Sequence, residues 1–250
     1  LDSLTKLSNS RGRPAWDFDI EDARRNLCLQ FGTKDLLAFD CEKLTLGLGA
    51  AGCLLKYVKN TQRTEIPHIQ SIKREDTNDA VILDAATRRN LELETNLVGD
   101  EENTLFSVFN SSITSMGTRL FRRWIQRPLT DIEEINNRLN AVSNLLERRR
   151  FEAVRLVLKS IGDMERIVSR IALRTARPRD LAKLAISLDS LPDLKESISD
   201  LKDAKLNSLA ASLGDYSSTV AFLKTAVVEN PPTTLKDGGV IAEGYSEKLD

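Results

Sequence analysis

The chain has 250 residues, with 36 Lys and Arg against 37 Asp and Glu, one His, three Cys and a formal charge of −1. That length fits one large domain or two small ones. An apolar share of 41% excludes wholesale disorder, and sparse aromatics, Gly and Pro favour helices over a β-sandwich or barrel. No run approaches ~18 uninterrupted apolar residues, so no membrane span is expected. Leu1-Asp2-Ser3-Leu4 has no signal-peptide pattern, and a cytoplasmic location is expected. The first residue is not Met, and the expectation is an internal piece of a longer protein. Cys28, Cys41 and Cys53 are odd in number and contain no CxxC, which points to reduced, partly buried thiols rather than disulfides or zinc.

Along the chain, Ser8 to Pro14 reads as a loop. Asp19 is placed to cap a helix running from Ile20 through Leu27 and Leu29, stopped at Phe31-Gly32. Lys34 to Phe39 reads as a short helix, and Leu44 to Val58 as a longer one with Leu44, Leu48, Ala51, Leu55 and Val58 at 3–4 spacing. Ile66 to Ile72 alternates and Ala80 to Leu83 is a short apolar run, so both are strand-like. From Ala85 onward the pattern is helical. Thr104 caps a short helix through Phe109, and Ser112 to Ile125 aligns Ile113, Met116, Leu120 and Trp124 before Pro128. Thr130 and Glu133 have capping-box spacing. The next helix carries Ile132, Ile135, Leu139, Val142 and Leu146, a 3-4-3-4 seam suited to a neighbouring helix. Another runs to Leu173 with Met164, Ile167, Val168 and Ile171 inward. Pro178 opens a helix through Leu181, Leu184 and Leu188. Further helix is expected from Pro192 to about Val228, then a turn at Asp237-Gly238-Gly239.

Charge is unevenly spread. Residues 115–183 hold 16 Lys and Arg against 8 Asp and Glu, and the rest of the chain is acidic. Arg119, Arg123 and Arg127 recur at i, i+4, i+8 with Arg122 beside them; Arg166, Arg170 and Arg174 repeat the spacing, followed by Arg177 and Arg179. Stacked guanidinium groups can track phosphates, which gives salt-dependent binding. They equally form an interdomain or solvated face paired with carboxylates, and no aromatic interleaving favours nucleic acid. Catalytic patterns are missing: there is no GxxxxGK(S/T) loop, no GxGxxG that follows a strand, no GxSxG, and His68 is the single imidazole. No enzymatic activity is expected of the chain.

Several segments, taken together and in order, resemble the bacterial MutS family of DNA mismatch-repair proteins. They include Arg13-Pro14-Ala15-Trp16-Asp17-Phe18, Leu29-Gln30-Phe31-Gly32-Thr33, Ala50-Ala51-Gly52-Cys53, Leu83-Asp84-Ala85-Ala86-Thr87-Arg88-Arg89-Asn90-Leu91-Glu92 and Asn103-Thr104-Leu105. Met116-Gly117-Thr118-Arg119, Asp163-Met164-Glu165-Arg166-Ile167, Arg174-Thr175-Ala176-Arg177-Pro178-Arg179-Asp180-Leu181 and Asp237-Gly238-Gly239-Val240-Ile241-Ala242-Glu243-Gly244-Tyr245 extend the match over nearly the whole chain.

The resemblance implies an α+β, mostly α, architecture. Residues 1–80 correspond to the later part of an RNase H-like α/β connector, and residues 81–250 to the first segment of the helical core, or lever, domain. The family's mismatch-reading Phe-x-Glu motif does not occur in this sequence, nor do Walker motifs. The mismatch-binding, clamp and ATPase domains are thus expected as partners in a longer protein, with ATP and Mg bound there and no cofactor or metal in this chain. Without the second core segment, seams such as Ile132 to Leu146 are expected to be exposed and sticky. The family implies coupling of nucleotide state to DNA binding, a homodimeric or larger parent, and a surface for MutL at Arg25, Asn26 and Asn60, three positions that read equally as ordinary solvated surface. Two other readings stand beside this one: a free-standing basic helical nucleic-acid-binding or scaffold module, and a metal-dependent hydrolase on an RNase H-like fold, for which no carboxylate cluster is evident.

Overall fold

A computed structural model describes residues 12–63, 65–74, 80–232 and 238–246; the loop expected from Ser8 to Arg11 and the turn residue Asp237 lie outside these. The chain divides into two compact units, Leu1–Glu75 and Asp76–Asp250.

The first unit is built on a helix pair. After a 3-10 turn at Ala15–Phe18, α1 spans Ile20–Phe31. Asp19 caps it by accepting the amide of Asp22 at 2.9 Å, satisfying one donor of the open first turn. Gly32, at φ 65°, ends it in the left-handed conformation that glycine adopts without a Cβ clash. Helix α2 spans Thr45–Gln62. The two helices cross where Ala23 meets Gly52, and a Cβ on Gly52 would lie 2.4 Å from the Cβ of Ala23. Gly49 makes the same allowance for the carbonyl of Phe18, at 2.7 Å. Leu27, Leu36, Leu48, Leu55 and Ile66 are buried with Ala23 and Cys53. The three cysteines are free; burial pushes the Cys41 thiol up.

Neither strand-like segment is a strand; the described residues contain only isolated bridges, Ala80 to Leu129 and Val227 to Ile241. Around Ile66 the reason is local. Ile69 bonds back to the Ile66 carbonyl, Pro67 has no N–H, and the Gln30 side-chain amide donates to the carbonyls of both Ile66 and Ile69 at 3.0 and 2.9 Å. Backbone groups engaged in this way are unavailable to a ladder. In the second run, pairing stops after Val81 and Asp84 starts a helix by accepting the amide of Thr87. Lys34 to Phe39 is also shorter than expected, a single 3-10 turn at Leu37–Phe39.

The second unit is helical: α3 Ala85–Asn90, α4 Leu105–Phe109, α5 Ser115–Gln126, α6 Ile132–Leu146, α7 Phe151–Leu158, α8 Met164–Ala172, α9 Pro178–Asp189, α10 Leu191–Ser199, α11 Ala204–Ser212 and α12 Ser217–Ala226. Thr104 caps α4 reciprocally with Ser107 and is wholly buried. At α6 the cap is Asp131 rather than Thr130, because the Asp131 carboxylate takes the amides of both Glu133 and Glu134. Pro178 sits in the first turn of α9, where its missing N–H costs nothing. The region after Pro192 is three helices, interrupted before Ala204 and again before Ser217, where Asp203 and Asp215 take the amides of Leu206 and Ser217. A small core gathers Ile167, Leu184, Ala185 and Leu223, with Met164, Leu181 and Leu188 against it. Val168 and Ile171, expected inward, keep 48% and 38% of their surface exposed.

The Ala23–Gly52 crossing is testable. Gly52→Ala should destabilise the first unit by about 1–3 kcal/mol through overpacking, less the ~1 kcal/mol gained in helix propensity. Adding Ala23→Gly should recover part of the loss, as measured by urea unfolding followed by circular dichroism.

Candidate functional site

Two sets of side chains stand out, one in each unit. In the first, Arg25 is exposed on α1 and pairs with Asp22 one turn earlier at 2.6 Å; Asn26 beside it is half-buried. Asn60 is exposed in the last turns of α2. All three belong to the same packed helix pair. Sequence reasoning missed the charged anchor of this pair. Asp17 is buried, and its two carboxylate oxygens are held by Lys56 of α2 at 2.7 Å and by Arg13 at 2.7 Å. The Lys56 hydrogen bond is the chief reason the Asp17 carboxyl lies below its ordinary range; burial opposes it and Arg13 assists.

In the second unit several arginines of the basic segment face acids of this chain. The Arg119 guanidinium on α5 grips both oxygens of Asp163, at 2.8 and 2.7 Å, and reaches Glu165 at 2.5 Å. Asp163 is also the N-cap of α8, accepting the Arg166 amide, and Arg166 pairs with it from the side. The Arg119 hydrogen bond holds the Asp163 carboxyl below the usual range, and its partners hold the Arg119 guanidinium firmly protonated. Arg122 lies 4.3 Å above the Phe106 ring and bonds Glu94 and Glu101 at 3.3 Å each, joining α5 to the loop before α4. Gln126 adds a bond to Glu94 at 2.8 Å. Arg170 on α8 pairs with Asp180 on α9 at 2.6 Å. Arg127 is half-buried and engaged, while Arg123 and Arg174 are exposed.

A further relay carries the pattern on. Arg138 on α6 stacks 3.9 Å from the centre of the Trp124 ring on α5, and its Nε donates to Glu134, which also receives Lys205 of α11 at 2.7 Å. Lys205 first, and Arg138 second, depress the Glu134 carboxyl. Arg155 of α7 donates to the Ser111 carbonyl just before α5 at 2.8 Å. Thus α5, which has no fully buried residue, is fastened to α6, α7 and α8 largely through arginines. Such fixed forks set geometry as much as they add stability. Among the described residues no group of acids, His or Cys is arranged to hold a metal ion, and no helix is long and apolar enough to cross a membrane.

Along the chain, a unit built on two packed helices is followed by a longer helical unit whose helices are tied to one another in part by arginines. The family model for MutS domain III matches residues 86–248, and that for MutS domain II matches residues 2–70. The chain belongs to the MutS family of DNA mismatch repair proteins.

The Arg119–Asp163 joint has a definite pH and mutational signature. Asp163 and Glu134 have folded-state pKa values below their unfolded ones. Their stabilisation is therefore fully present above about pH 5 and is lost as pH falls through the depressed folded values. Asp163→Ala should cost about 0.5–2 kcal/mol from the lost cap alone. Asp163→Asn retains the cap chemistry and should lose chiefly the ion pair, flattening the acid limb of thermal stability measured between pH 3 and 7. An unchanged acid limb in Asp163→Asn would show that the pair contributes nothing there.

Proposed function

We propose that this chain is the connector and lever portion of a MutS protein, coupling the nucleotide state of an ATPase domain to the grip of other domains on mismatched DNA. The observation that carries the reading is the ordered match of MutS domain II and then domain III along one chain. Residues 1–80 are read as the later part of an RNase H-like connector, with α1 and α2 among its helices. The helical stack from residue 81 is read as the first core segment. The arginine joints support a mechanical role: a relay needs stiff helices and discrete contacts that a distant ligand biases from one arrangement to another. In this reading ATP and Mg are bound by the ATPase domain, DNA is held by the mismatch-binding and clamp domains, the parent is a homodimer or larger assembly in the bacterial cytoplasm, and this chain has no catalysis of its own.

MutL is proposed to contact the first unit around Arg25, Asn26 and Asn60. The exposure of Arg25 and Asn60 supports this, because a partner reaches them without unfolding the helix pair. The alternative of a basic phosphate-tracking module is less well supported: Arg119, Arg122, Arg166 and Arg170 are already ion-paired within the chain.

Two experiments test the proposal. The purified chain should neither hydrolyse ATP nor prefer mismatched to matched duplex, and either activity overturns it. In a full-length protein, Arg25→Glu combined with Asn26→Glu should weaken MutL binding at least about tenfold, or ~1.4 kcal/mol, with helical content unchanged by circular dichroism. Losing the exposed Arg25–Asp22 pair costs the helix only ~0.2–0.5 kcal/mol. Unaltered MutL affinity removes these residues from the interface.

A further inference from the structure

A polar cleft of about 280 Å³ opens between α6 and the residues that start α11. Apart from Ala204, every residue lining it is polar or charged. Asn137, Asn140 and Asn144 line it from α6 at i, i+3 and i+7. Asn144 is held in place, its amide nitrogen donating to Asp203 at 3.1 Å and to the Asn140 carbonyl at 2.9 Å. Asp203 is buried and caps α11. The side-chain amides of Asn137 and Asn140, and the side-chain oxygen of Asn144, have no hydrogen-bond partner among the described residues. Lys202 and Glu147 are exposed at the same cleft, and neither has an ion-pair partner among those residues.

Both signs of charge therefore border the cleft. Lys202 disfavours a simple cation, and Glu147 and Asp203 disfavour a simple anion. The volume is below the ~300–1,000 Å³ of small-molecule pockets, whose linings are mostly apolar. A neutral stretch of a longer ligand, with donors and acceptors in turn, meets these conditions.

We propose that this cleft binds an extended polypeptide segment by its main chain, through the amides of Asn137, Asn140 and Asn144. A side-chain amide carries N–H donors and a carbonyl acceptor side by side, the complement of a peptide unit's C=O and N–H. The spacing fits as well. Asn137 and Asn140 stand ~4.5 Å apart along the axis and ~60° apart around a helix of ~5–6 Å radius, which sets their tips roughly 7 Å apart. The step from Asn140 to Asn144, ~6 Å along and ~40° around, again comes to roughly 7 Å. One edge of an extended chain presents its N–H and C=O groups at every second residue, ~6.6 Å apart. Three amides in that register can follow one edge of a strand, leaving Lys202 and Glu147 to meet its side chains.

Panning a displayed library of random short peptides on the 250-residue chain tests this. The library is first depleted on the chain carrying Asn137→Ala and Asn140→Ala, which removes peptides that bind elsewhere. Neither side chain is hydrogen-bonded and Ala has the higher helix propensity, so the double variant keeps its fold, checked by circular dichroism. The expected result is a set of peptides that survive depletion and lose at least about tenfold in affinity on the double variant, measured by calorimetry. Asn136→Ala, an exposed change outside the cleft, should leave their affinity unaltered. Methylating the main-chain nitrogens of such a peptide one at a time should weaken binding at alternate residues. A library emptied by the depletion overturns the proposal. So do peptides indifferent to N-methylation at every position, since these are recognised by their side chains alone.

Discussion

One carboxylate meets two structural demands in the larger unit. Asp163 must stand at the start of α8 to take an otherwise open amide, and it must stand where Arg119 of α5 can close on both its oxygens. The first demand sets where α8 begins and so delivers Ile167 into contact with Leu184 and Leu223. The second ties the only modestly buried α5 to that core. A fully desolvated pair would have to recover a large solvation cost before adding stability. Here Arg119 keeps about a third of its side-chain surface in solvent, so that cost is small and the pair can define an angle between helices.

The same economy of apolar burial recurs. The core around α8, α9 and α12 contains few wholly buried side chains, while several large ones on α6 and α7 remain exposed. With so little packing to resist sliding, orientation between helices falls to directional contacts: Arg138 on Trp124, Arg170 on Asp180, Lys205 on Glu134.

Most helices were legible in the sequence because their signals are local. Asp19, Thr104 and Pro178 stand where caps and first-turn residues belong, and 3–4 apolar spacing does the rest. The strand expectation at Ile66 to Ile72 failed because alternation is equally compatible with a loop, and the deciding bonds come from Gln30, some 36 to 39 residues away. The capping box at Thr130 failed for a related reason: Asp131, one residue on, is the stronger acceptor and reaches two amides. The close crossing at Gly52 was more accessible, since three glycines at positions 47, 49 and 52 inside an apolar helix signal a near neighbour. Arg25, Asn26 and Asn60 carry no such signal. Polar residues on a helix surface look alike whether or not a partner exists, so their selection came from position within the family resemblance alone.

Charge shows why pairing, and not totals, carries the information. A basic stretch from 115 to 183 inside an acidic chain suggests an external polyanion, because a sequence displays excess charge but not its distance to the opposite sign. In the folded chain, Arg122 reaches back to Glu94 and Glu101, and Arg119 reaches forward 44 residues to Asp163. Part of the excess is thereby paired within the chain, where Arg119 and Arg170 fix one helix against another and Arg122 fixes a helix against a loop. Arginines that resemble a nucleic-acid surface by composition are, by geometry, in part the fastening of a helical stack. The same helical repeat that stacks arginines at i, i+4, i+8 also aims them at successive partners on adjoining elements. Spacing alone therefore cannot distinguish a phosphate ladder from a row of joints, whereas the position of the carboxylates can.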